Sequence, residues 1–192
     1  DECGYDWDKA WSIVTKTIAY TNHTVMSEAL ECWNEDLFKA RLPRIYQIVK
    51  EIDNRFRREM YDKTQDADIV EKTAVISGGF VRMANLSVVA SHKVNGVSKL
   101  HSEILKNDLF NNYYKITPDK FTNVTNGIAH RRWLCQANPL LSDYLKEVIG
   151  DGFINDASKL SLLNDFSNDK AVLAKLEEIK FKNKERFSKF VK

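Results

Sequence analysis

The segment "LPRIYQIVKEIDNRFRREMY" constrains this chain more than any other. Ile45, Ile48, Val49, Ile52 and Phe56 recur at the spacing of one face of a long α-helix, while Arg44, Lys50, Glu51, Arg55 and Arg57 take the solvated side. Pro43 suits the first turn, where its missing N–H removes no intrahelical bond. The helical period returns elsewhere. "FVRMANLSVVASHKVNGV" carries only Arg82 and Lys93 as formal charges, which predicts a buried helix and its exit. "VMSEALECW" reads as a helix start, "SKLHSEILKN" as a short helix ending near Asn107, and "AHRRWLCQAN" as a helix that stops before Pro139. "PLLSDYLKEVIG" is helical again, with Gly150 as its C-terminal cap. From about Asp169, Leu173, Leu176, Ile179, Phe187 and Val191 space a last amphipathic helix. Strands are expected only as short pieces near Thr15 and Phe121, so the predicted fold class is mainly α.

Charge and cysteine usage narrow the function classes. Twenty-nine basic residues against 27 acidic ones give a net charge of +2, and the basic residues are dispersed except in "KFKNKERFSKFVK". That is no extended cationic surface, so nucleic acid is not an expected partner. The basic terminal helix also carries Glu177, Glu178 and Glu185 and reads as a solvated face rather than a membrane-binding one. No apolar run approaches the length of a membrane span and no signal peptide is visible, which leads to the expectation of a cytoplasmic protein. Cys3, Cys32 and Cys135 are odd in number, widely separated and without CxxC spacing, as for free thiols in a reducing compartment. In that setting the Asn-x-Ser/Thr matches at Asn22, Asn85 and Asn123 read as chance. The chain opens on "DECG" without methionine and is expected to be a piece of something longer.

Metal chemistry finds no support in spacing. His23, His92, His101 and His130 lack i, i+4 partners, and no HExxH-type arrangement exists. "SGGF" has neither the P-loop lysine nor dinucleotide-binding spacing. Three stretches remain that are rich in hydrogen-bonding groups: "YTNHT", "SHKVNGV" and "TNGIAHRRW". Each joins a low-charge segment to a helix start. Glycine after asparagine, at Gly96 and Gly127, permits φ > 0 and a close backbone approach to a ligand. A helix opening after such a turn directs unpaired N–H groups outward. Singly, each stretch reads as an ordinary capped turn; converging, they would suit a polyhydroxylated, uncharged or phosphorylated ligand.

"AYTNHTVMSEALECW", "MANLSVVASHKVNGVSKLHSEILK" and "KFTNVTNGIAHRRWLCQANPLL" resemble the α-1,4-glucan phosphorylases, the family of glycogen, starch and maltodextrin phosphorylase, in order from about Trp7 to Ile149. The resemblance implies a helical fragment of a two-domain, Rossmann-like glycosyltransferase of the GT-B type. Residues 1–125 would be the end of its N-terminal domain, and residues 126–192 the crossover and start of the C-terminal one. It further implies transfer of glucosyl units, with retention, between the non-reducing end of an α-1,4-glucan and inorganic phosphate. The implied acid/base group is the 5′-phosphate of pyridoxal phosphate. Glucan and phosphate are thus the implied partners, with a homo-oligomer expected. By the same resemblance His23 would line the pocket of the reacting glucosyl unit and Asn126 would hydrogen-bond the sugar's 6-hydroxyl. Val97 would form wall near glucose and cofactor, and Trp133 would pack by the pyridoxal phosphate. No catalytic residue is assigned to this chain, and the cofactor lysine would lie outside it, so inactivity in isolation is expected. Many members of the family carry proline where this chain has Ser27 and Thr-Pro where it has Ala129-His130. The alternatives are a free-standing helical interaction or regulatory module and a non-catalytic glucan-binding module.

Overall fold

In the computed structural model, which describes residues 3–191, Asp6 caps the first helix by accepting the Lys9 N–H at 2.8 Å. That helix, α1 (Trp7–Thr17), runs through Thr15, where a strand was expected. The hydroxyls of Thr15 and Thr17 donate back to the carbonyls of Trp11 and Ile13, which lets these β-branched residues stay helical. The strand follows instead as β1 (Ala19–Thr21). "VMSEALECW" does not open an α-helix. It forms one 3₁₀ turn at Ser27–Ala29 and then β2 (Cys32–Asn34), with no side-chain cap; the Ser27 hydroxyl turns to Glu28 rather than to backbone N–H groups.

Asn34 caps α2 (Glu35–Arg41), and α3 (Pro43–Thr64) carries its proline in the first turn and ends at Gln65 with φ +52°. The buried face of α3 is Tyr46, Val49, Ile52, Asp53 and Met60, whereas Ile45 and Ile48 are 47% and 39% exposed. The face is turned because Tyr46 is amphipathic. Its ring joins the core while its hydroxyl donates to Glu35 Oε1 at 2.6 Å. Then come α4 (Ala67–Thr73), β3 (Ile76–Ser77), β4 (Phe80–Arg82), α5 (Met83–Ala90), β5 (Lys93–Gly96) and α6 (Lys99–Ile104), which widens into π turns over Leu105–Leu109. α7 (Asn111–Ile116) and β6 (Phe121–Asn123) follow, β6 at the place expected for a strand.

The strands form two small sheets. β2, β4 and β3 are antiparallel, and Gly78-Gly79, both at positive φ, make the two-residue hairpin of "SGGF". β1, β5 and β6 are parallel, with β5 in the middle. Val75, Val81, Val88, Val94 and Leu105 sit at the centre of the core between these sheets and their helices. One buried carboxylate ties α3 to β3: Asp53 Oδ1 accepts the N–H groups of Val75 and Ile76 at 2.7 and 3.2 Å, and Oδ2 accepts Arg57 Nε at 2.8 Å.

A second compact unit begins at Gly127. Wide π turns over Arg131–Gln136 lead to α8 (Pro139–Ile149), capped by Asn138 at its start and by Gly150, at φ +77°, at its end. Short 3₁₀ segments and α9 (Lys170–Val191) complete it, around buried Leu145, Phe153 and Ile179. The fold is mainly α, as the helical periodicity predicts. Among the described residues no helix is long and apolar enough to cross a membrane.

Candidate functional site

Because β1, β5 and β6 are parallel, their carboxyl ends lie along one edge, the edge at which open α/β sheets place their ligands. The register pairs Thr21 with Asn95 and Asn95 with Thr122, so the three polar stretches of the sequence leave the sheet side by side. Backbone bonds continue the pairing past the strands. The Asn22 N–H donates to Asn95 O at 3.0 Å, the Val124 N–H to Gly96 O at 3.2 Å, and the Asn126 N–H to Val97 O at 3.1 Å. His23, Val97 and Asn126 are therefore carried at the same edge: His23 and Asn126 are exposed, Val97 is half-buried. The His23 ring has no side-chain partner among the described residues.

Behind this edge lies a network of neutral groups. Asn22 is 1% exposed, and its Oδ1 accepts both the Thr24 N–H at 3.0 Å and a bond from His101 Nε2 at 3.0 Å. Its amide nitrogen donates to the Tyr20 hydroxyl. His101, also buried, accepts the Val97 N–H on Nδ1 at 3.3 Å, which fixes the proton on Nε2 and makes Nε2 the donor to Asn22. Ser98 positions this ring by capping α6 through the His101 N–H. Ser102 on the same turn donates toward Ser98 O and Asn123 Oδ1, both at 2.9 Å, which links α6 to the end of β6. Among the described residues these bonds involve no carboxylate, ammonium or guanidinium, so the network presents dipoles rather than charge.

The close approach of α6 explains Gly96, but not through φ. Neither Gly96 nor Gly127 has positive φ, contrary to the expectation for Asn-Gly turns. A Cβ at Gly96 would lie 2.6 Å from Ser102 Oγ, 2.8 Å from Ser102 N and 2.9 Å from Ser102 Cα, whereas one at Gly127 meets nothing within 4 Å. Glycine at 96 is there so that α6 can press on the end of β5.

Trp133 belongs to the second unit, in the wide turns after Ala129, and the residue is 71% exposed. The neighbouring His130 and Arg131 are both occupied by the carbonyl of Ile154, at 3.1 and 3.3 Å. The sequence reading missed His101 as a member of the site and read Asn22 only as part of the polar stretch "YTNHT". The signal was present in "SKLH", a Ser followed three residues later by a polar side chain at a helix start.

The sequence profile of the carbohydrate phosphorylases matches residues 1–192. Over 192 residues the chain is 43% identical to a glycogen phosphorylase of Bacillus subtilis (strain 168), covering 100% of this chain and 24% of that protein. It is 43% identical to the muscle form of glycogen phosphorylase of Homo sapiens over 97% of this chain and 23% of the relative. Against a glycogen phosphorylase of Chlamydia pneumoniae it is 44% identical over 93% of this chain and 22% of the relative. The chain thus spans about a quarter of the length of the curated relatives it matches. On a match that runs the whole length of the chain, this protein belongs to the carbohydrate phosphorylase family.

Proposed function

We propose that this chain is the segment of an α-1,4-glucan phosphorylase that walls the glucosyl subsite of a cleft between two Rossmann-like domains. Residues 1–125 are then the end of the first domain and residues 126–192 the crossover into the second; the separation of the compact units after Asn126 supports that division. The observation that carries the reading is the edge at the carboxyl ends of β1, β5 and β6, where, among the described residues, the network behind His23, Val97 and Asn126 is built from neutral hydrogen-bonding groups. A sugar presents hydroxyls, and neutral donors and acceptors meet them without the desolvation cost of a charge. His23 and Asn126 would bind those hydroxyls, with Asn126 at the 6-hydroxyl and Val97 as apolar wall. Preorganised dipoles also suit the positive charge that develops on a transferring glucosyl unit.

Pyridoxal phosphate, when bound, would supply the phosphate that exchanges the proton in the transfer. Trp133 fits such a group as a packing surface, since it is a large aromatic side chain on a residue left mostly exposed. His130 and Arg131 each reach the Ile154 carbonyl, and neither is assigned to it. The three free thiols support a cytoplasmic setting. The test is glucose 1-phosphate formation from α-1,4-glucan and phosphate by the full-length protein that carries this chain, with pyridoxal phosphate bound. Formation of the α-anomer is expected. Release of free glucose instead, or no product, overturns the reading.

A further inference from the structure

We propose that His101 is a positioning residue for the sugar-facing edge: its imidazole holds the His23 loop and the Val97 wall in one fixed relation. The proposal rests on the glucosyl-subsite reading above. His23 is exposed and has no side-chain partner among the described residues, so its own contacts do not place it. Its neighbours do. Asn22 and Thr24 flank it: Asn22 Oδ1 accepts the Thr24 N–H and also the hydrogen bond donated by His101 Nε2. The other nitrogen of the same ring takes the Val97 N–H, and Val97 O in turn accepts the Asn126 N–H. One buried ring therefore joins the three segments that carry His23, Val97 and Asn126. Each nitrogen has a distinct task, one donating and one accepting, which a space-filling aromatic or aliphatic side chain cannot reproduce. Ser98, Ser102 and the absent Cβ of Gly96 fix the turn of α6 from which the ring projects.

Two conservative replacements separate the two links. In His101→Asn the side-chain oxygen falls near the Nδ1 position and can still accept the Val97 N–H, but nothing reaches Asn22. In His101→Gln the amide nitrogen falls near Nε2 and can still donate to Asn22, but Val97 loses its acceptor. His101→Ala removes both. Residue-resolved hydrogen exchange of the 192-residue chain is expected to show Thr24 deprotected in the Asn and Ala variants and retained in the Gln variant. Val97 should show the reverse pattern for Asn and Gln. In the full-length protein, kcat for phosphorolysis should fall at least tenfold in His101→Ala with KM for glucan changed less than threefold. His101→Gln, which keeps the His23 loop anchored, should recover more of kcat than His101→Asn although both lose one hydrogen bond and similar melting temperature. The proposal is overturned if exchange at Thr24 and Val97 is indifferent to the replacements. It is equally overturned if kcat follows melting temperature without regard to which link is kept. Failure of the glucosyl-subsite reading looks different: the unsubstituted enzyme forms no glucose 1-phosphate, and the exchange pattern alone then decides whether His101 holds the edge together.

Discussion

Gly96→Ala offers the sharpest test of how the edge is built. The added methyl would sit 2.6 Å from Ser102 Oγ, which a rotamer change can relieve, but also 2.8 and 2.9 Å from Ser102 N and Cα, which it cannot. Helix α6 must move outward by several tenths of an ångström, or the end of β5 must. Forcing a methyl into a well-packed site costs about 1–3 kcal/mol, and two backbone contacts place this case in the upper half of that range. For a unit of this size that is roughly 3–5 °C per kcal/mol, a drop of about 6–15 °C in melting temperature. Gly127→Ala is the matched control, since it follows asparagine just as Gly96 does but meets nothing within 4 Å and has no positive φ. It should be neutral or stabilising by up to about 1 kcal/mol through the unfolded chain. The assay is a thermal melt of each variant beside the parent. A Gly96→Ala protein that melts with the parent, or a Gly127→Ala protein that loses as much, would refute the close-packing account.

Asp53→Ala should destabilise by about 3–5 kcal/mol, because it orphans the N–H of fully buried Val75 and removes one partner of Arg57. Asp53→Asn keeps the acceptor for Val75 and should cost clearly less in urea denaturation; equal costs would show that the ion pair, not amide acceptance, matters. The Tyr46 phenol is pushed up to about 12, first by its hydrogen bond to Glu35 and then by burial. Its folded pKa lies above the unfolded value, so its contribution is full below about pH 10 and is lost as pH rises through about 12. The parent should therefore lose melting temperature faster than Tyr46→Phe between those values, and parallel curves would contradict this. On α9, Phe181, Phe187 and Phe190 are 63%, 66% and 86% exposed, an apolar surface that predicts concentration-dependent self-association by light scattering. A monodisperse monomer at high concentration would count against it.

What could be read from the sequence follows the length of each signal. Helices α3, α8 and α9 span many turns, so their apolar spacing, Pro43 and the Gly150 cap are legible in the residue pattern alone. The parallel strands β1, β5 and β6 are three or four residues long, too short for alternation to register. Their pairing joins Ala19 to Lys93 and Gly96 to Asn123, a long-range choice with no local trace. Even on α3 the buried face differs by one position from the apolar spacing, because Tyr46 buries a ring while keeping its hydroxyl on Glu35. The two Asn-Gly pairs look identical in sequence, yet only Gly96 faces a packed helix. At the edge itself, the dense polar spelling of Thr21 to Thr24 was readable. The division of labour within it was not: Asn22 turns inward to His101, 79 positions away, and leaves His23 facing out.

That outward-facing imidazole gives the most direct measurement. In the full-length protein, kcat/KM for phosphorolysis of an α-1,4-glucan should be determined for His23→Ala together with a melting curve. Because His23 is exposed in this chain and has no side-chain partner among the described residues, its removal should leave the melting temperature of the 192-residue chain close to the parent's. Losing one sugar hydrogen bond costs about 0.5–1.5 kcal/mol, more once water enters the subsite, and 1.4 kcal/mol is about tenfold in rate. The account predicts a fall of about tenfold or more in kcat/KM at unchanged stability. Parental efficiency combined with a lowered melting temperature would contradict it, and would make the edge at the ends of β1, β5 and β6 a structural seam instead of a sugar site.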